Sequence, residues 1–272
     1  VTEIRRFYTD SRYGQLHYLQ GWPAENVARK TTLVLLHQNP SSCFEYQHLL
    51  AEMAKDRMVI AFDTPGNGMS DGPAGPAAIG DYAAAFADGL DRLGFGAAAP
   101  VDVFGFHTGT LLAAELAIQR PDLVRRVALS GIPFRSEAER AQRLAAVRQT
   151  PPMTDDGTYT FERLAWLWRF VVAERTPAVP LERAAFMFME KAKTMNSYWW
   201  PYDGVWSYPM EEKFPKVSQP VLIVQPREEL FEHSKAAAKL FPNAEFVELP
   251  TLKRDVFEVG VAAFAGEFRR FY

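Results

Sequence analysis

The stretch VFGFHTGTLLAAELA, residues 103–117, sets a histidine at the centre of a glycine-flanked turn, Gly105-Phe106-His107-Thr108-Gly109. Apolar strand-type residues precede it and helix formers follow, the pattern of a strand turning sharply into a helix. Such a turn needs small neighbours, which Gly105 and Gly109 supply. It also needs positive φ at its centre, where histidine is among the enriched non-glycine residues. A neutral imidazole in that place can accept a proton from substrate or water, or attack a carbonyl itself.

The elements that must hold this turn read as an α/β chain. Strand patterns occur at 15–20, 32–37, 58–63, 101–105, 124–130, 220–225 and 244–249, and helical patterns follow each strand between 32 and 130. Ile79, Tyr82, Phe86, Leu90 and Leu93 share one helical face, closed by Gly94 and Gly96. The alternation stops from about Phe134 to Lys216, a mostly helical stretch holding five of the six tryptophans, and resumes at Pro220. The expectation is a core of residues 1–133 and 217–272, interrupted by a helical cap over 134–216.

Composition narrows the class. With 272 residues, 48% hydrophobic and 23% charged, the chain can bury a large core. A net charge of −3 gives no reason to invoke nucleic acid or an anionic membrane. The single cysteine, Cys43, excludes an internal disulfide framework and fits a reducing compartment. The charged opening VTEIRRFYTD does not resemble a signal peptide, and no apolar run reaches the roughly 20 residues of a membrane helix. A cytoplasmic protein is expected.

Four motifs, in order, resemble those of the α/β-hydrolase superfamily. LLHQNPSS (35–42) is similar to the oxyanion loop of haloalkane dehalogenases and epoxide hydrolases. DTPGNGMSD (63–71) resembles the turn after the next strand. GFHTG occupies the G-x-S-x-G nucleophile elbow, and the helical stretch falls where that family carries its cap. The resemblance implies an α/β-hydrolase fold, a mostly parallel central sheet flanked by helices, with a helical cap insertion. It also implies a triad altered at each place. His107 replaces the serine, Glu229 takes the acid position with Glu228 beside it, and Arg254 stands where the histidine belongs. No histidine follows His233, so the usual Ser–acid–His set cannot form.

On this reading Glu229 and Arg254 pair and aim the guanidinium into the pocket, to hold an anionic group or an oxyanion. The Thr108 and Gln38 amides form the oxyanion hole. His37 and Asn39 belong to the loop beside it, His37 organising it by hydrogen bonds and Asn39 facing the ligand. The dense segment YWWPYDGVW (198–206) is too broken by proline and glycine for a simple helix face. It offers Tyr198, Trp199, Trp200 and Trp206 as pocket walls for a small aromatic or cyclic carbonyl substrate. The five histidines show no metal-ligand spacing, and no phosphate loop appears, so neither metal nor cofactor is implied. Three activities stay open: hydrolysis through His107, proton transfer without hydrolysis as in a lyase, isomerase or cyclase, and ligand binding without catalysis.

Overall fold

The computed structural model describes residues 3–24 and 30–272; residues 1, 2 and 25–29 of the expected core lie outside it. The strands are β1 (Ile4–Ser11), β2 (Gly14–Gly21), β3 (Lys30–Leu36), β4 (Arg57–Phe62), β5 (Val101–Phe106), β6 (Val124–Ser130), β7 (Val221–Pro226) and β8 (Ala244–Leu249). They form one sheet in the order β1-β2-β4-β3-β5-β6-β7-β8. Pairings from β4 and β3 through β8 are parallel, and β1 and β2 add an antiparallel edge. Side chains alternate between the faces. Val34, Leu36 and Val103 pack in the core on one side, and Leu33, Leu35 and Phe104 in the core on the other.

Before the interruption come α1 (Gln47–Met53), α2 (Ile79–Arg92) and α3 (Thr108–Gln119). Between β6 and β7 lie α4 (Glu137–Arg148), α5 (Thr158–Trp168), α6 (Leu181–Ala192), α7 (Trp200–Ser207) and α8 (Met210–Lys213). The chain closes with α9 (Phe231–Ala238), α10 (Val256–Val259) and α11 (Val261–Phe271). Helix α3 is buried from Thr108 through Ala117, as suits a helix covered on every side by sheet and neighbouring helices. Helix α4 starts at a capping box. Ser136 Oγ accepts from the Glu139 N–H, and the Glu139 carboxylate accepts from the Ser136 N–H. Among the described residues no helix is long and apolar enough to cross a membrane.

Two elements differ from expectation. β1 was not foreseen because it is an edge strand with largely wetted side chains, so its alternation is weak. Residues 200–207 form a helix despite their proline and glycine. Pro201 sits in the first turn, where its missing N–H costs nothing, and Gly204 lies close against the backbone at Ala77.

Candidate active site

The elbow has the strained geometry its sequence implies. β5 ends at Phe106 and α3 starts at Thr108, leaving His107 between them at φ 49°, ψ −114°. A side chain on Gly105 would overlap the Gly109 carbonyl, and one on Gly109 the Leu36 carbonyl. The His107 N–H bonds to Ser130 O at 2.9 Å, tying the turn to the end of β6. Thr110 Oγ1 donates to His107 O within the first helical turn. Gly131, at φ 71°, leaves space for the imidazole, since a Cβ there would overlap His107 Cδ2.

The carboxylate facing His107 is Glu228. Its Oε2 lies 3.4 Å from His107 Nε2, while Nε2 is buried and has no hydrogen-bond partner of normal geometry among the described residues. This is a contact poised to tighten rather than a finished bond. Glu228 is held by Gln225, whose Nε2 donates to Glu228 Oε1 at 2.8 Å and whose Oε1 accepts from the Gly131 N–H at 2.8 Å. Burial works to raise the Glu228 carboxyl, but the nearby His107 imidazole and the bonds from Leu230 N–H and Gln225 outweigh it and hold it below its ordinary value.

The expected Glu229–Arg254 pair does not form. Arg254 Nη1 lies 3.5 Å from Glu174 and its Nε 3.8 Å from Asp255, and Nη2 donates to Phe170 O. The carboxylate at 174 and the carbonyl at 170 come from the helical segment, a partnership invisible to an alignment of the core. Glu229 lines the cavities on both sides of His107 without contacting Arg254.

In the loop after β3, the Gln38 N–H expected to serve an oxyanion is already engaged. Gln38 N–H bonds to Glu45 Oε2 at 3.3 Å, and the Gln38 side-chain amide bonds to the other oxygen of the same carboxylate. Thr108, at the first position of α3, has no intrahelical acceptor for its N–H, which leaves that donor available. His37 is buried away from either cavity. Its Nε2 accepts from the Thr64 N–H at 2.9 Å and its Nδ1 donates to Gln38 O at 2.6 Å, fixing one neutral tautomer. Burial lowers its pKa, so it serves as a strut and not as a ligand contact.

Two cavities meet at His107. The smaller, about 330 Å³, is walled by Phe106, Met187, Val179 and Arg254 among others. The larger, about 540 Å³, opens between Asn39, Thr108 and the helical segment. Of the aromatic segment, Tyr198 in the turn ahead of α7 and Tyr202 and Trp206 on α7 line it. Trp199 and Trp200 pack edge-on against each other at 6.3 Å and are not among the residues lining the cavity. Asn39 Nδ2 donates to Tyr198 O at 2.6 Å, and Tyr202 OH donates to Asn39 O. The oxyanion loop is thereby sewn to the helices above it.

Sequence reasoning missed Lys191 on α6, which borders both cavities. Its Nζ donates to Pro40 O at 2.9 Å and lies 3.8 Å from Glu45 Oε1. Burial pulls its pKa below that of an ordinary lysine, against the attraction of Glu45 and Asp255. Its only sequence signal was a cation among the apolar residues of a helix pattern.

Sequence spacing showed no metal cluster, yet His17, Cys43 and Asp63 converge, with one ligand atom of each within 4.8 Å of the others. Asp63 is already committed: it accepts from His17 Nδ1 at 2.7 Å, Cys43 N–H at 2.6 Å and Met69 N–H at 2.8 Å. Burial, then the Asp63 charge, pushes the Cys43 thiol up. The cluster is a hydrogen-bonded brace behind the oxyanion loop.

Residues 31–159 match the family model described as alpha/beta hydrolase fold. The (E)-2-((N-methylformamido)methylene)succinate hydrolase of Acinetobacter baylyi is 31% identical over 121 residues, 43% of this chain and 45% of that protein. The chain thus aligns with less than half the length of that relative. The enol-lactonase of Burkholderia xenovorans superposes with a TM-score of 0.77 at 21% identity, covering 97% of this chain and 99% of its own. An epoxide hydrolase of Vigna radiata superposes with a TM-score of 0.78 at 14% identity, covering 99% and 97%. The chain has the α/β-hydrolase fold, with a helical insertion between β6 and β7.

Proposed function

We propose that this α/β-hydrolase-fold protein hydrolyses a small aromatic or cyclic carbonyl compound, with His107 as general base and Glu228 as its orienting acid. The observation that carries the reading is the half-buried His107–Glu228 contact at an elbow facing two cavities. The carboxylate opposite Nε2 favours a proton there and leaves Nδ1 as the basic nitrogen. Nε2 is buried, so the exposed fifth of the side chain lies on the rest of the ring. Nδ1 takes a proton from water as the water oxygen attacks the carbonyl carbon, and Glu228 offsets the charge of the imidazolium. The Thr108 N–H faces the oxyanion. Collapse breaks the bond to the leaving group, which receives the proton from Nδ1. The helical segment between β6 and β7 supplies much of the apolar lining of both cavities.

The Acinetobacter relative is named as a hydrolase of a small formamido-bearing succinate, which supports the reaction class. One observation favours a second reading. Glu45 occupies the Gln38 N–H, so one of the two usual oxyanion donors is engaged. A lyase or isomerase needs the base more than a complete oxyanion hole. Turnover of aromatic and cyclic esters, lactones and enol-lactones, resolved by product mass, tests the assignment. Hydrolysis requires a gain of one water that is lost in His107→Ala. A product of unchanged mass moves the protein to the isomerases, and cleavage without water moves it to the lyases.

A further inference from the structure

We infer that the larger cavity is a carboxylate subsite, in which Arg135, Arg143 and Arg163 receive the acid group of a substrate whose carbonyl lies at His107. The proposal rests on the reading above that this cavity admits substrate, and it names the substrate class as an aromatic carboxylate.

Helix α4 provides the clearest contrast. Arg140 pairs with Glu211 at 2.7 Å, and Arg148 pairs with Asp203 at 2.7 Å. Arg143, between them, has no carboxylate within 4.0 Å among the described residues; it lies 5.2 Å over the Trp206 ring and borders the cavity. Arg163 is likewise without an acid partner among the described residues. Its guanidinium carbon is 4.3 Å from the Tyr198 centroid and 4.8 Å from that of Trp166. A guanidinium held by ring faces is oriented while its N–H edges stay available to a planar acceptor.

Arg135 is the most exacting of the three. Its Nε is buried with no hydrogen-bond partner among the described residues, and burial and Arg143 both disfavour its charge. A buried charged donor without an acceptor is costly, and an incoming carboxylate relieves the cost and the repulsion together. Lys191 adds a fourth cation to the lining. Among the described residues Glu229 is the one carboxylate in that lining, within electrostatic reach of Arg135 but not in contact with it. The cavity therefore holds a surplus of positive charge beside Tyr198, Tyr202 and Trp206, which suits an acid carried on a ring. At about 540 Å³ it has the size of a small-molecule site.

This places the anion differently from the sequence expectation, which assigned it to Arg254. That arginine already has two carboxylates and a carbonyl.

Calorimetric titration of the full chain with phenylsuccinate and with its neutral diamide tests the subsite without requiring turnover. The diacid is expected to bind at least about tenfold more tightly than the diamide, and to weaken with added salt. Arg143→Gln and Arg135→Gln should each weaken diacid binding by about tenfold and leave the diamide unchanged. Arg148→Gln, a paired arginine outside the cavity, should change neither. Arg163→Lys keeps the charge without the planar edge and should fall between wild type and Arg163→Gln. Equal binding of diacid and diamide, or undiminished diacid binding in Arg143→Gln and Arg135→Gln, overturns the proposal. Diacid binding by a wild-type protein that turns over none of the esters, lactones or enol-lactones supports the subsite and removes the hydrolytic reading. Turnover of neutral and acidic esters with equal kcat/KM removes the subsite and retains hydrolysis.

Discussion

Glu228 Oε2 lies 3.4 Å from His107 Nε2, while the adjacent Glu229 makes no such approach. Two chemically identical residues are separated only by the direction the chain takes after β7. Glu228→Gln is expected to lower kcat by about 10²–10⁴-fold with little change in KM, since the lost carboxylate acts on a charge that exists only during reaction. Glu229→Gln should cost far less in kcat. Steady-state kinetics of the two variants decides between them, and the reverse ranking would move the acid to 229.

Gly131 makes room for the imidazole. In Gly131→Ala a methyl group would overlap His107 Cδ2, and alanine at φ 71° adds about 1 kcal/mol of backbone strain. The expected result is a folded protein, slightly lowered in Tm, whose kcat falls by about 100-fold as the base leaves its place. Unchanged kcat would show that the position of the ring does not matter.

Glu45 competes with a substrate oxyanion for the Gln38 N–H. Glu45→Ala frees that donor. For a hydrolase, kcat on esters should rise by about tenfold, accompanied by a loss of Tm because Lys191 loses its nearest carboxylate. A fall in Tm with no change in kcat would indicate that Gln38 N–H contributes nothing to the reaction.

Asp63 supports the site from behind. Burial raises its pKa, but the bond from His17, the proximity of His37 and two backbone N–H groups prevail and leave it lowered. A carboxyl whose folded pKa lies below its unfolded one contributes fully above the unfolded value, about 3.9, and loses that contribution as pH falls through the folded value. Asp63→Asn should therefore cost about 3 kcal/mol near neutrality and flatten the acid limb of stability. Denaturant unfolding between pH 3 and pH 7, in about one-unit steps across that carboxyl range, reads both effects.

The parallel sheet was legible because its strands are buried on both faces and read as apolar runs between turn signals. The elbow was equally legible, since Gly105, Gly109 and a residue tolerating positive φ are local requirements. The site partners were not local. Glu228 is selected over Glu229 by a clamp from Gln225, itself tied to Gly131 on another strand's loop. Arg254 was drawn off by Glu174, and Lys191 reaches the oxyanion loop from α6. Residues 200–207 hid their helix behind a proline and a glycine, and that helix turns Tyr202 and Trp206 to the cavity and not Trp200. Local chemistry could be read directly, whereas side-chain partnerships between the core and its insertion depend on packing that no single segment encodes.

Single turnover of an aromatic ester in ¹⁸O-labelled water measures the central claim most directly. The account expects one ¹⁸O in the acid product of the wild-type protein and no product from His107→Ala on the same timescale. Product without ¹⁸O, or labelled product formed undiminished by His107→Ala, would contradict it.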